Sequence, residues 1–214
     1  MYGLVFPWFI TYFITLFLFD VSPGVSFVTT AKNTIKNKSL TIGVFTALGI
    51  ATSDAISSVV GFFFCSALTK YDKAFKIIQL LGMAYLLFVG AKMFFSKAEE
   101  LTMDKATLSK TKKDAYKSGF FYTASNFSIA IVITSVISQF YKYVNSWYGY
   151  TGLLITVPVV SFLTFFLIAC CCYYLKIWKI FGKYGWVLDK IAGCVLVFLA
   201  LCNVKDILKG LGIV

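Results

Sequence analysis

The chain contains no histidine and no arginine; all twenty of its basic residues are lysine. That excludes a proton relay through imidazole and any clamp or sensor built on a guanidinium. Acids are also scarce, nine against twenty lysines, and charged residues of both signs make up only 14% of the chain. Hydrophilic sequence is confined to one segment, Ser96 to Lys117. No stretch is left to build a soluble domain, which excludes soluble-enzyme chemistry, and neither a cofactor nor a metal is expected. The six cysteines (Cys65, Cys170, Cys171, Cys172, Cys194 and Cys202) form no C-x-x-C pair, and no histidine is present to complete a common zinc set. They read as small apolar residues of membrane spans. Acylation of Cys170 to Cys172 is the weaker alternative.

What is abundant is apolar sequence. The chain of 214 residues is 59% hydrophobic and has a mean hydropathy of +0.83, which marks an all-α polytopic membrane protein. A crossing helix needs about 20 mostly apolar residues. Six stretches meet this: Leu4–Thr29, Leu40–Leu68, Phe75–Phe95, Ser118–Tyr141, Tyr148–Leu175 and Trp186–Leu208. The net charge of +11 is then a matter of topology, not of nucleic-acid binding. Fourteen lysines follow spans one, three and five, and six lie on the other side. The positive-inside rule places the Ser96–Lys117 segment in the cytoplasm and both termini outside. The apolar run from Met1 has no basic residue before it and no small-residue cleavage pattern, so no cleaved signal peptide is expected.

The hydrophilic segment 96–117 divides the single membrane domain into halves of three spans each, 1–95 and 118–214. An odd number of spans per half inverts the second against the first, giving two inverted three-helix repeats. Gly82 to Phe88 in span three is similar to Gly193 to Leu199 in span six, and Gly43 opens span two much as Gly152 opens span five. Aromatic residues around Trp147 and Trp178 mark the expected interfacial belts.

Against this apolar background, polar residues inside spans stand out. Asp20-Val21-Ser22-Pro23-Gly24 interrupts span one. Pro23 removes a backbone donor and Gly24 loosens the helix, so a break is expected there. Broken helix at membrane depth is tolerated where it is buried in protein or lines a cavity. Ser22 is placed to cap the resumed helix, whose free N–H groups suit a carboxylate. Asp20 reads either as a cavity acid or as a second cap for that helix. In span two, Gly43, Ala47, Ala51 and Ala55 form a small-residue stripe that serves close packing, within one chain or between two copies. Asp54 falls on nearly the same face and is the only charge between Ser39 and Thr69. Intramembrane acids mark substrate and proton pathways; a structural role, satisfied by Ser53, Ser57 or Ser58, is the alternative. Span four carries Asn126 and Ser128 at the position corresponding to the first break, and Pro158 in span five is a candidate kink.

The residues Ser22-Pro23-Gly24, Ala47-Leu48-Gly49-Ile50-Ala51 with Asp54, and Leu81-Gly82 with Ala84-Tyr85-Leu86-Leu87 and Gly90 follow one another in an order and spacing that resembles the LysE/RhtB family of bacterial amino-acid exporters. The resemblance runs over nearly the whole chain. It implies six spans in two inverted halves and efflux of amino acids or related small metabolites across a bacterial inner membrane, coupled to proton entry. Three departures are visible. Val25 stands where the family usually has a second proline, Phe127 and Ser128 stand where an Asn-Pro-Lys motif would continue after Asn126, and Asp20 is not part of the usual pattern. The second departure predicts a weaker break in span four and removes a fixed positive charge. The expected site thus comprises Asp54, Asp20, Ser22, Pro23, Gly24, Asn126 and Ser128, with a small-molecule substrate, protons and the lipid bilayer as partners. Two other classes compete: a non-transporting family member that acts as a membrane partner protein, and a thiol-redox protein. Spans one and four contain no cysteine, which disfavours the second. The predicted topology is checked by placing a single cysteine at Lys105 (K105C) in a cysteine-free chain. An impermeant maleimide is expected to label it only from the cytoplasmic side.

Overall fold

The computed structural model describes residues 5–22, 24–95, 109–141, 143–144, 146–175, 186–187, 190–198 and 200–201. All regular structure among them is helical. In chain order the elements are α1 (Val5–Val21), α2 (Val25–Asn37), α3 (Leu40–Leu68), α4 (Asp72–Phe94), α5 (Lys112–Ala124), α6 (Phe127–Tyr141) and α7 (Trp147–Cys170), which ends in a π-helical turn, Cys171–Leu175. Three helices are each long and apolar enough to cross a membrane, and five spans result if α1/α2 and α5/α6 are each one bent span. Of the sixth expected span, Trp186–Leu208, residues 186–187, 190–198 and 200–201 are described and helical; most of the 96–117 segment lies outside the described residues.

α3 has the bounds expected from its hydropathy, and Ser39 starts it by accepting the Ile42 N–H. It stands at the centre of the bundle. Its glycine at position 49 meets α5 so closely that an added Cβ would overlap the Tyr116 carbonyl oxygen and lie 2.8 Å from the Phe120 nitrogen. Gly119 of α5 is equally tight against the Thr46 carbonyl. Removing two side chains at the crossing lets two backbones approach, the main source of helix–helix attraction where lipid removes the hydrophobic drive. Elsewhere α4 crosses the helical residues 190–198 at a second glycine pair, Gly90 and Gly193. The exposed faces of α1 (Phe9, Ile10, Phe13, Ile14) and α3 (Val60, Phe63, Phe64) are apolar, as a lipid-facing surface requires.

α2 departs from this pattern. Thr29, Thr30, Lys32, Asn33 and Thr34 are all buried, on a helix too polar to face lipid. It is accepted because its neighbours satisfy it. Asn33 donates to Thr46 of α3 and Ser118 of α5, both at 3.0 Å, and accepts the Ser109 N–H. Asn37 donates to the Ser109 carbonyl at 2.8 Å. In α7 Pro158 lies inside the helix without ending it. One turn earlier, the Leu153 carbonyl accepts the buried Tyr12 hydroxyl at 3.0 Å, tying α1 to α7.

Both expected breaks are present. α1 and α2 are bent by 59° across Ser22 to Gly24, and α5 and α6 by 68° across Ser125 and Asn126. The weaker second break that the missing proline predicted is therefore not found. Asn126 takes the proline's place: its side-chain oxygen accepts the Ser128 N–H at 3.2 Å and starts α6. The expected cap by Ser22 is also corrected, as is the capping alternative for Asp20. Gly24 occupies the N-cap of α2 with no side-chain cap, and its N–H bonds the Ser22 carbonyl at 2.7 Å.

The crossing at Gly49 yields a prediction. Gly49→Ala forces backbone against backbone and is expected to destabilise the protein by about 1–3 kcal/mol, the cost of an overfilled contact. Gly152→Ala is the matched control, since its Cβ would meet only Phe9 at 3.9 Å. Thermal unfolding in detergent checks the pair: G49A lowers the midpoint and G152A does not.

Candidate functional site

The two breaks open onto one cavity of about 400 Å³ between α1, α2, α3, α4, α6 and α7. Six of the seven residues expected at the site line it: Asp20, Ser22 and Gly24 at the first break, Asp54 on α3, and Asn126 and Ser128 at the second. Pro23 lies outside the described residues. The volume is at the lower end of the roughly 300–1,000 Å³ typical of small-molecule pockets.

The acids occupy its buried side. Asp54 is 2% exposed, and its Oδ1 has no hydrogen-bond partner. The serines of its own helix do not satisfy it as the structural alternative required; Ser58, for one, donates to the Ala55 carbonyl. Three buried side-chain atoms among the described residues lack partners, on Asp54, Gln139 and Thr164, and only Asp54 is at the cavity. An unsatisfied carboxylate oxygen in low dielectric is costly, and Asp54 presents this one at the cavity wall. Asp20 is half-buried and accepts the Ser161 hydroxyl at 2.9 Å. Ser161 comes from α7, which runs antiparallel to α3: Gly43 meets Ala169 at one end and Phe62 packs on Tyr150 towards the other.

The opposite polarity comes from the start of α2, where Gly24, Val25 and Ser26 line the cavity. A helix N-terminus without a side-chain cap presents free N–H groups and about half a positive charge. Ser26 is held against α5 through Thr123, 3.0 Å away, so the wall is braced by the second half of the chain. α4 supplies the remaining wall with Tyr85, Phe88, Val89 and Lys92.

The residues that sequence reasoning missed are Ser161, Ser26, Tyr85 and Lys92. For Tyr85 and Lys92 a signal existed, because positions seven apart lie on one helix face; Lys92 read instead as the first residue of a basic loop. Nothing in the sequence pairs Ser161 with Asp20, 141 positions away. Among the described residues no three histidine, cysteine, aspartate or glutamate side chains gather as a metal set. The described cysteines are free, and none lines the cavity.

An uncharacterized membrane protein of Bacillus subtilis (strain 168), YrhP, is 25% identical over 187 residues, covering 83% of this chain and 89% of that protein. No solved structure matches the chain. The family described as LysE type translocator matches residues 17–204, nearly the whole length and both helix breaks. The protein is therefore a membrane protein that belongs to the LysE type translocator family.

Proposed function

We propose that the protein is a proton-coupled secondary transporter that exports amino acids or related small zwitterions across a bacterial inner membrane, through six spans in two inverted halves. The observation that carries this reading is the unpartnered, buried Oδ1 of Asp54 facing a cavity where two broken helices meet. In this scheme the substrate ammonium group is held at Asp54, with Asp20 beside it. The substrate carboxylate faces the N-terminus of α2.

Coupling follows from competition. Two carboxylates lining one cavity repel each other, and in a site shielded from water that repulsion is large. Either an ammonium group or a proton relieves it. A proton entering from outside displaces the bound ammonium, and the vacated site reloads from the cytoplasm. Rocking of one half against the other would expose the site alternately. The two breaks are natural pivots, because each lacks a continuous backbone ladder. The non-transporting alternative rested on a degenerate span four; the 68° bend there supports a retained site instead.

The test is efflux from proteoliposomes loaded with a labelled amino-acid mixture, with and without an imposed pH gradient. Wild-type protein is expected to lose particular amino acids in the presence of the gradient. Asp54→Asn should slow that loss by at least about tenfold, equivalent to about 1.4 kcal/mol, while the folded protein keeps its elution profile. Asp20→Asn, which leaves Asp54 in place, should weaken the response to the gradient less than Asp54→Asn does. Normal gradient-driven efflux from folded Asp54→Asn protein sinks the mechanism.

A further inference from the structure

The cavity has one feature that the scheme above leaves unused. Among the described residues Lys92 is the single cation whose side chain lines it, at the end of α4 and two helical turns after Tyr85 on the same face. It is exposed, whereas the carboxylates lie deeper. It forms no ion pair among the described residues, with either acid or with any other group. Opposite charges across one cavity that do not pair with each other leave room for something between them.

We propose that Lys92 sets the charge selectivity of the site, so that the protein carries net-neutral zwitterions and rejects cationic amines. The inference rests on the transporter reading above and deepens it. Its basis is the separation of charge across the cavity. The carboxylates of Asp54 and Asp20 lie on its buried side and the Lys92 ammonium group at its exposed side. A zwitterion brings one charge of each sign and finds a partner for both. An amine without a carboxylate leaves the Lys92 ammonium unmatched beside a second cation, and like charges at short range in a partly dry site are costly. The α2 N-terminus alone offers only a partial charge; Lys92 adds a full one, on a flexible stem that reaches to the rim. The plain alternative is that Lys92 only anchors α4 by extending its ammonium to the headgroups.

The experiment compares wild type, Lys92→Arg and Lys92→Met in proteoliposomes. The probes are the zwitterions L-leucine and L-threonine and the cations isoamylamine and cadaverine, each labelled and loaded separately. Elution profile and thermal midpoint confirm that each variant folds. The expected result is that wild type moves one or both amino acids and neither amine. Lys92→Met is expected to lose at least tenfold in amino-acid efflux while amine efflux appears or rises, and Lys92→Arg to keep the wild-type preference. An unchanged amino-acid to amine ratio in Lys92→Met overturns the inference, and so does an equal fall in both. Wild-type protein that moves only the amines also overturns it, but leaves the transporter reading standing. Wild-type protein that moves none of the four, nor any component of the mixed amino-acid pool, removes the transporter reading and the inference with it.

Discussion

The close approach of α3 to its neighbours is the constraint on which the rest depends. In lipid, helices gain little from burying apolar surface against each other, so contact must come from surfaces that fit. Gly43, Gly49 and Gly61 of α3 each face a different partner: α2 and α7, α5, and α6. With the axes drawn in this far, Asp54 sits within reach of a hydroxyl from α7, and the N-terminus of α2 sits within one cavity of it. A bundle expanded by one methyl group at these crossings would separate the charges that the site brings together.

The site combines two kinds of irregularity, and each tolerates the other. A helix break exposes backbone donors that lipid will not satisfy. A buried carboxylate exposes acceptors with the same problem. Placed around one cavity, the donors of α2 and the acceptors of Asp54 and Asp20 share a polar space and leave the lipid-facing surfaces apolar. Ser161 and the Asn33 lattice fix the geometry from outside, so the reactive groups need not hold themselves in place.

Much of the fold was legible in the sequence because hydropathy has no competitor in a membrane. The bounds of α3 follow from it at both ends, and the first break follows from Ser22-Pro23-Gly24. Asp54 and Asp20 stood out because charge in an apolar run is rare. What was not legible is of two kinds. The second break persists without proline because an asparagine side chain can start a helix as well as a proline can, and Asn126 carries less obvious punctuation. The walls contributed by α4 and α7 depend on which face each helix turns inward. α7 is apolar nearly all round, so no periodicity reveals its inward face and Ser161 does not announce itself; on α4 the seven-residue spacing of Tyr85 and Lys92 was the one signal.

The polar character of α2 has a consequence for how the protein is made. A helix that buries Thr29, Thr30, Lys32, Asn33 and Thr34 is a poor candidate to enter a bilayer unaided. Thr46, one of the partners that satisfy Asn33, follows 13 residues later, but Ser109 and Ser118 follow 76 and 85 residues later. While the ribosome is still making the fourth span, α2 has no complete set of neighbours. It must remain in the shelter of the insertion machinery or at the membrane surface until α5 arrives. The packing of α2 is thus completed by a segment synthesised after it.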